Sequence, residues 1–244
     1  MNRPIANLGG TVILVMAASN CIVPPDAANC PCSNGSSSSP SSSKSSSSPS
    51  ESAAANAPPG VKPTAAQLSD GTSPNILNVN PPGSWFVMND RTAKGTMSPT
   101  SNGDFASAIV SGGIHSEGKG YTDWGGGIGF NFVGADSLTP LDASAYSGIS
   151  FKLSGAAPVH VALATVATMP DFGVCTKCYD HFSVDVSDLS STPKVYSYKW
   201  SQLHAGGWGA PHASLDPKTL IGLNFTSKGP APWNFSVHDV TLVQ

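Results

Sequence analysis

Two short segments limit what this chain can become. Ile128–Phe132 reads Ile-Gly-Phe-Asn-Phe, and Ile149–Leu153 reads Ile-Ser-Phe-Lys-Leu. Apolar residues that alternate with small or polar ones mark a strand with one buried and one exposed face. The same pattern returns at Val159–Leu163, Phe182–Val186, Val195–Tyr198, Ile221–Phe225 and Phe235–Val237, with shorter apolar runs at Trp85–Met88 and Phe105–Val110. Gly, Pro and Asn turns separate these segments. Charged residues make up only 11% of the chain, too few to clothe long amphipathic helices. The reading is an all-β domain, a sandwich or barrel of eight or nine short strands. Ile149, Phe151, Leu153, Val161, Leu163, Val184, Leu223 and Phe225 are its expected core. Helix is expected only as single turns at Trp200–Leu203 and Asp216–Leu220.

Two local features qualify this pattern. The glycines around Trp124 (Asp123-Trp124-Gly125-Gly126-Gly127) predict a tight turn that leads into the Ile128 strand, with close backbone approach. In Phe235–Leu242 the apolar parity slips between Val237 and Val240, which predicts a bulge that redirects Asp239. A carboxylate there has to be paired, hydrogen-bonded or bound to a cation.

The folded part is expected to span 65–244. Ahead of it, residues 1–20 combine Arg3 with the apolar run Leu8–Ala18, which fits an export signal and is short for a membrane span. Ala18-Ser19-Asn20-Cys21 resembles a bacterial lipobox, departing from it at Asn20, so Cys21 is the expected lipidation site and the only expected membrane attachment. The protein is then secreted or held at the cell surface. Residues 21–64 are a Ser/Pro/Ala-rich tether, expected to be disordered because it has almost no apolar residues to offset chain entropy. The Cys30-Pro31-Cys32 pair within it is too closely spaced for an easy disulfide.

Candidate chemistry is confined to a few groups. Trp85, Tyr121, Trp124, Tyr179, Trp208 and Trp233 could each offer a ring face to a sugar or serve as core. Trp124 and Trp208, both flanked by glycine, are the strongest candidates for exposure. Asp123, Asp180, Asn89 and Asp90 could bond hydroxyl groups or simply form turns. Cys175-Thr176-Lys177-Cys178 followed by Asp180-His181 is open to three readings. A zinc site would need a second ligand pair, and a thioredoxin-type site would need a βαβ setting. A local disulfide suits an exported loop. No nucleophile elbow or metalloprotease helix is present, and a net charge of −3 gives no footprint for nucleic acid.

Taken in order, several segments resemble a known family. They are Gly83–Asp90, Trp124–Phe132, Tyr146–Leu153, Cys175–Phe182, Trp208-Gly209, Leu215–Pro217 with Leu220–Leu223, and Val237–Val240. From Trp85 to Val243 the chain is similar to carbohydrate-binding-like modules of the galactose-binding-like jelly-roll superfamily, specifically family-eleven carbohydrate-binding modules and the complex I intermediate-associated protein domain. The resemblance implies a two-sheet antiparallel jelly roll and a structural calcium (Ca2+), for which Asp70 and Asp239 are the matching positions. The chain lacks the acidic opening strand and the paired closing aspartates common in that family. The expected function is non-catalytic binding of a polysaccharide or cell-wall glycan through Trp124, Trp208, Asp123, Tyr179 and Asp180. The rival expectations are a polysaccharide-active enzyme and an envelope adhesion protein.

Overall fold

The computed structural model describes residues 57–136, 138–210 and 214–244. The export segment, Cys21, the Cys30/Cys32 pair and the tether up to residue 56 lie outside the described residues. Twelve strands are present among the described residues. They are β1 (Gln67–Ser69), β2 (Trp85–Asn89), β3 (Thr96–Ser98), β4 (Ile109–Val110), β5 (Gly113–Lys119), β6 (Tyr121–Asn131), β7 (Gly148–Gly155), β8 (Val159–Thr165), β9 (Phe182–Val186), β10 (Lys194–Lys199), β11 (Leu220–Gly229) and β12 (Trp233–Val243).

Every named pairing is antiparallel. One sheet runs β2-β6-β11-β8-β9. The other runs β10-β7-β12-β5-β3, with β1 added to β12 and β4 to β5. From β5 to β8 the chain changes sheet at each strand, and it does so again from β9 to β12, which is the jelly-roll path. Ile128, Phe130, Phe225, Leu163, Phe151, Ile149 and Val240 all face one sealed interior. Trp85, 2% exposed, packs edge-on against Phe130 at 4.8 Å and near Phe225 at 6.4 Å. Among the described residues no helix is long and apolar enough to cross a membrane.

Most predicted strands are present, and the departures from prediction have local causes. Phe105–Val110 is not one strand. Phe105–Ala108 forms one helical turn, α1, before β4. The Asp104 carboxylate accepts hydrogen bonds from Thr100 N–H and Oγ1 and from Ser101 N–H, and this winds the chain so that Phe105 and Ala108 fall on one buried side. Asp216–Lys218 forms a turn, with Lys218 N–H donating to Asp216 Oδ1. The tether ends earlier than expected. Val61 N–H donates to Pro140 O, and Asp142 N–H donates to Val61 O, so residues from Val61 onward lie on the sandwich.

The glycines around Trp124 are not a turn. They lie inside β6, an eleven-residue strand. A Cβ on Gly127 would sit 2.0 Å from Phe225 O, and one on Gly129 would sit 2.4 Å from Asn224 Oδ1 and 2.9 Å from the Phe86 ring. The predicted close backbone approach is therefore real, and it runs along the strand. The bulge in β12 is also real. Val237 lies opposite Leu153 and Asp239 opposite Lys152, which leaves His238 as the extra residue.

Gly127→Ala is expected to destabilise the fold by about 1–3 kcal/mol, because the clash is with backbone and no side chain can turn away. Urea denaturation of wild type and variant would measure this, and equal midpoints would show that β6 can shift to make room.

Candidate functional site

The aromatic residues divide by exposure. Trp85, Trp233 and Tyr121 are buried core. Trp124, Tyr179 and Trp208 are 42%, 39% and 56% exposed. Exposing three large rings discards apolar burial that the fold uses elsewhere, so the loops that carry them are the place to look for binding.

Trp208 projects from Gly206-Gly207-Trp208-Gly209, a segment with little intrinsic order. Asp180 supplies the order. Its Oδ1 accepts Gly206 N–H at 2.7 Å, and its Oδ2 accepts Gly207 N–H at 2.9 Å and Gly209 N–H at 2.8 Å. Asp180 is only 2% exposed, and charge-assisted hydrogen bonds of this kind are strong in a desolvated setting. The fit is close, since a Cβ on Gly209 would lie 2.4 Å from Asp180 Cβ. Where Asp180 was expected to contact ligand, both of its oxygens accept backbone N–H groups, and it holds the Trp208 loop in place.

Asp180 is itself held by the segment before it. Cys175 and Cys178 are joined by a disulfide, as the exported-loop reading expected. Tyr179 N–H donates to Thr168 O at 2.8 Å, and Ala210 N–H donates to Lys177 O. Tyr179 adopts a left-handed φ of 73°, a conformation rare for a bulky residue. Burial first, then the Asp171 charge, pushes its phenol pKa upward. His181 Nδ1 lies 2.8 Å from Thr168 Oγ1. Dense packing around that ring lowers its pKa from 6.5 to about 4, outweighing the upward pull of Asp180, with His160 adding to the depression. Tyr179 and Trp208 thus belong to one braced loop cluster. Beside it is a depression of about 590 Å3, lined in part by Phe182, Trp200, Leu203, His204 and Gly207.

Trp124 has the same kind of support at a different place. Asp90 Oδ2 accepts Asp123 N–H at 2.9 Å and Gly125 N–H at 3.1 Å, gripping both neighbours of Trp124. Asp90 Oδ1 accepts the Thr92 hydroxyl and N–H. Burial alone would raise the pKa of Asp90, but these hydrogen bonds together hold it below the ordinary carboxylate value. Asp123 itself is exposed, and its carbonyl accepts Lys228 Nζ at 3.4 Å.

The register decides whether the two tryptophans can act together. Gly126 pairs with Asn89 and Ser227, at one end of the five-stranded sheet. Phe182 pairs with Leu163, and Gly222 with Asn131, at the other end. Along β6, Trp124 and Asn131 are separated by seven residues, about 23 Å. The expected single set is therefore two sets: Asp123 with Trp124 at one end, and Tyr179, Asp180 and Trp208 at the other.

Asp70 and Asp239, the positions matched to calcium, both lie at the β1–β12 contact, where Ser69 pairs with Val240. Asp70 Oδ1 accepts Thr72 N–H and Oγ1, and these bonds, larger than the opposing effect of burial, lower its pKa. Asp239 Oδ1 accepts Gln67 Nε2 and Thr241 Oγ1. Among the described residues no group of three His, Cys, Asp or Glu side chains is placed to hold a metal. Calcium takes about six to eight oxygens, so a site at this contact would have to draw backbone carbonyl, hydroxyl or water oxygens in addition to these two carboxylates.

No protein-family model matches the chain, and no curated protein does. Among solved structures, it is similar to the family 11 carbohydrate-binding module from Clostridium thermocellum in complex with a beta-1,3-1,4-mixed-linked tetrasaccharide. The identity is 18% and the TM-score 0.49, over 73% of this chain and 94% of that one. The family 11 module of a cellulosomal cellulase from the same organism is 17% identical, with a TM-score of 0.47 over 72% and 92% of the two chains. A CBM4 structure is 12% identical, with a TM-score of 0.32 over 65% and 92%. The jelly-roll assignment rests on the strand order above.

Two outcomes follow from this geometry. Added calcium and added EDTA are expected to give the same melting temperature, and a rise with calcium would show that Asp70 and Asp239 gather further oxygens. The second concerns acid. An unfolded histidine takes up a proton below about 6.5, and folded His181 does so only near 4, so stability should fall as pH drops through that window and His181 should add nothing further below it. His181→Gln should flatten this slope in a plot of melting temperature against pH, and an unchanged slope would remove His181 as its source.

Proposed function

We propose that this protein is a carbohydrate-binding module, exported and non-catalytic, whose principal contact surface is the Tyr179–Trp208 loop cluster. The observation that carries the reading is a tryptophan 56% exposed on a glycine loop that a buried carboxylate holds rigid. A sugar ring presents flat C–H faces edged by hydroxyl groups. An exposed indole matches the first, and its N–H, like the Tyr179 hydroxyl, matches the second. Rigidity matters because an ordered platform loses little conformational entropy when ligand arrives. The adjoining depression, lined by the Trp200 and His204 side chains among others, gives a saccharide room to continue past the platform.

The non-catalytic part of the reading is supported by what Asp180 does. It is the carboxylate inside the cluster, and both of its oxygens are engaged by backbone N–H groups, so neither faces a substrate. The sequence resemblance to carbohydrate-binding modules points the same way, and the apolar run at Leu8–Ala18 supports export.

Affinity electrophoresis of the full chain in gels containing neutral polysaccharides is the direct test, with retention by at least one glucan, mannan or xylan expected. Trp208→Ala should weaken that retention about tenfold or more, and Tyr179→Ala by less, with the fold unchanged in both. Asp180→Asn should weaken it too, through the loop, and should increase quenching of Trp208 fluorescence by acrylamide. Retention that is indifferent to Trp208→Ala would move the binding surface elsewhere, and retention by no glycan would end the carbohydrate reading.

A further inference from the structure

The end of the sandwich that carries Trp124 differs in charge from the end that carries Trp208. Around Trp208 the charges are mixed, with Lys177, Lys199 and Lys218 as well as the carboxylates Asp171, Asp180 and Asp216. Around Trp124, four cations converge on the turn between β5 and β6. Gly120 forms that turn, with its N–H donating to Gly229 O at 3.1 Å and the Lys94 carbonyl 2.9 Å from where its Cβ would be. Lys119 precedes it and Lys228 precedes Gly229, so Lys94, Lys119 and Lys228 rise from three adjoining segments. Arg91 follows Asp90 in the loop that grips Trp124. All four side chains are exposed.

Two carboxylates stand against these cations. Asp90 is turned inward onto four hydrogen-bond donors, and Asp123 is exposed beside Trp124. Glu117 is the next acid along β5, with its carboxylate 3.6 Å from His115 Nε2. The local balance is positive in a chain whose net charge is −3. Lys228 also lies close to the indole's own strand, since a Cβ on Gly125 would be 3.1 Å from Lys228 Cβ. A separate cavity of about 280 Å3 opens at the same end, lined by Asn89, Thr96, Thr100 and Tyr121 among others, so an amide and three hydroxyl-bearing residues border it.

We propose that this end is a second saccharide contact, separate from the Trp208 platform and selective for acidic glycans, those carrying carboxylate or sulfate groups. Trp124 supplies the ring face for the sugar plane, Lys94, Lys119, Lys228 and Arg91 supply the counter-charge, and Asn89, Thr96 and Thr100 supply hydrogen-bonding partners. The separation of about 23 Å along β6 means that one short saccharide cannot touch both ends, so the two contacts act on different ligands or on distant parts of one polymer. The choice of a saccharide as the ligand rests on the function proposed above, and the charge selectivity rests on this end alone.

The test uses the full chain with polygalacturonate and with the same polymer after its carboxylates have been reduced to alcohols. Binding to polygalacturonate should exceed binding to the reduced polymer about tenfold at low ionic strength, and the difference should shrink as salt screens exposed charges. Trp124→Ala and the triple variant Lys94→Gln, Lys119→Gln, Lys228→Gln should each remove that preference. Both should leave retention by neutral polysaccharide unchanged. Trp208→Ala should do the reverse, which separates failure of this proposal from failure of the other. Equal binding of the two polymers would overturn the proposal. So would a preference that survives Trp124→Ala and appears equally with RNA or phosphatidylglycerol vesicles, because that would be attraction to any polyanion.

Discussion

An exposed tryptophan on a glycine loop is useful only if something stops the loop from moving, and here a carboxylate does so. Asp180 collects the N–H groups on both sides of Trp208, and Asp90 collects those on both sides of Trp124. The cause is similar in both cases. The Gly206–Gly209 loop, and the stretch of β6 before Gly126 where its pairing with β11 slips, leave backbone donors without strand partners, and a carboxylate is a strong acceptor for them. The two sheets provide the fixed ends from which these segments start. The clamps convert a glycine loop and a slipped strand segment into defined surfaces, and each one works through a residue distant in sequence from the tryptophan it supports.

The bracing continues one layer further at the Trp208 end. Asp180 can clamp only because its own segment is fixed by the Cys175–Cys178 disulfide, by the Tyr179 N–H bond to Thr168 O and by the packing of His181 against Thr168. A left-handed tyrosine between a disulfide and a buried aspartate is a costly conformation. It persists where neighbours over-determine it, and it turns the Tyr179 ring toward solvent while Asp180 points inward. Opposite directions for adjacent side chains are what place an exposed ring directly beside its buried anchor.

Much of the fold was legible because alternation is a direct record of which face is buried. Ile149, Phe151 and Leu153 lie in the core, and the parity slip before Val240 located the bulge at His238. β5 was not legible: in Gly113–Lys119 only Ile114 is a large apolar residue, and Ser116 is fully buried without being hydrophobic. The short β1 and β3 carry too few residues to show a period. The glycines of β6 looked like a turn because glycine usually serves one. Here they are required by the carbonyl of Phe225 and the side chain of Asn224 lying against the strand. Of the candidate site, glycine flanks correctly marked Trp124 and Trp208 as exposed. The roles of Asp90 and Asp180 as clamps were hidden because the backbone groups they clamp are 26 to 35 positions away in the chain, and backbone donors leave no mark in a sequence.

Which tryptophan stands at which end was equally hidden, and it matters most for function. An antiparallel sandwich sends consecutive loops to alternate ends, so order along the chain says little about proximity. Asp123-Trp124 and Tyr179–Trp208 therefore looked like parts of one site, while the pairings of β6 with β2 and of β8 with β9 place them apart. Once they are apart, the local charge can be read for each end separately. A chain with few charged residues and a net charge near zero looks indifferent to electrostatics as a whole. Grouping Arg91, Lys94, Lys119 and Lys228 around one turn, away from the mixed charges at the Trp208 end, gives one end of the molecule a local excess of cations. Electrostatic complementarity acts mainly on specificity and on the rate of encounter. Two stacking platforms of similar construction can therefore differ in the ligand they select.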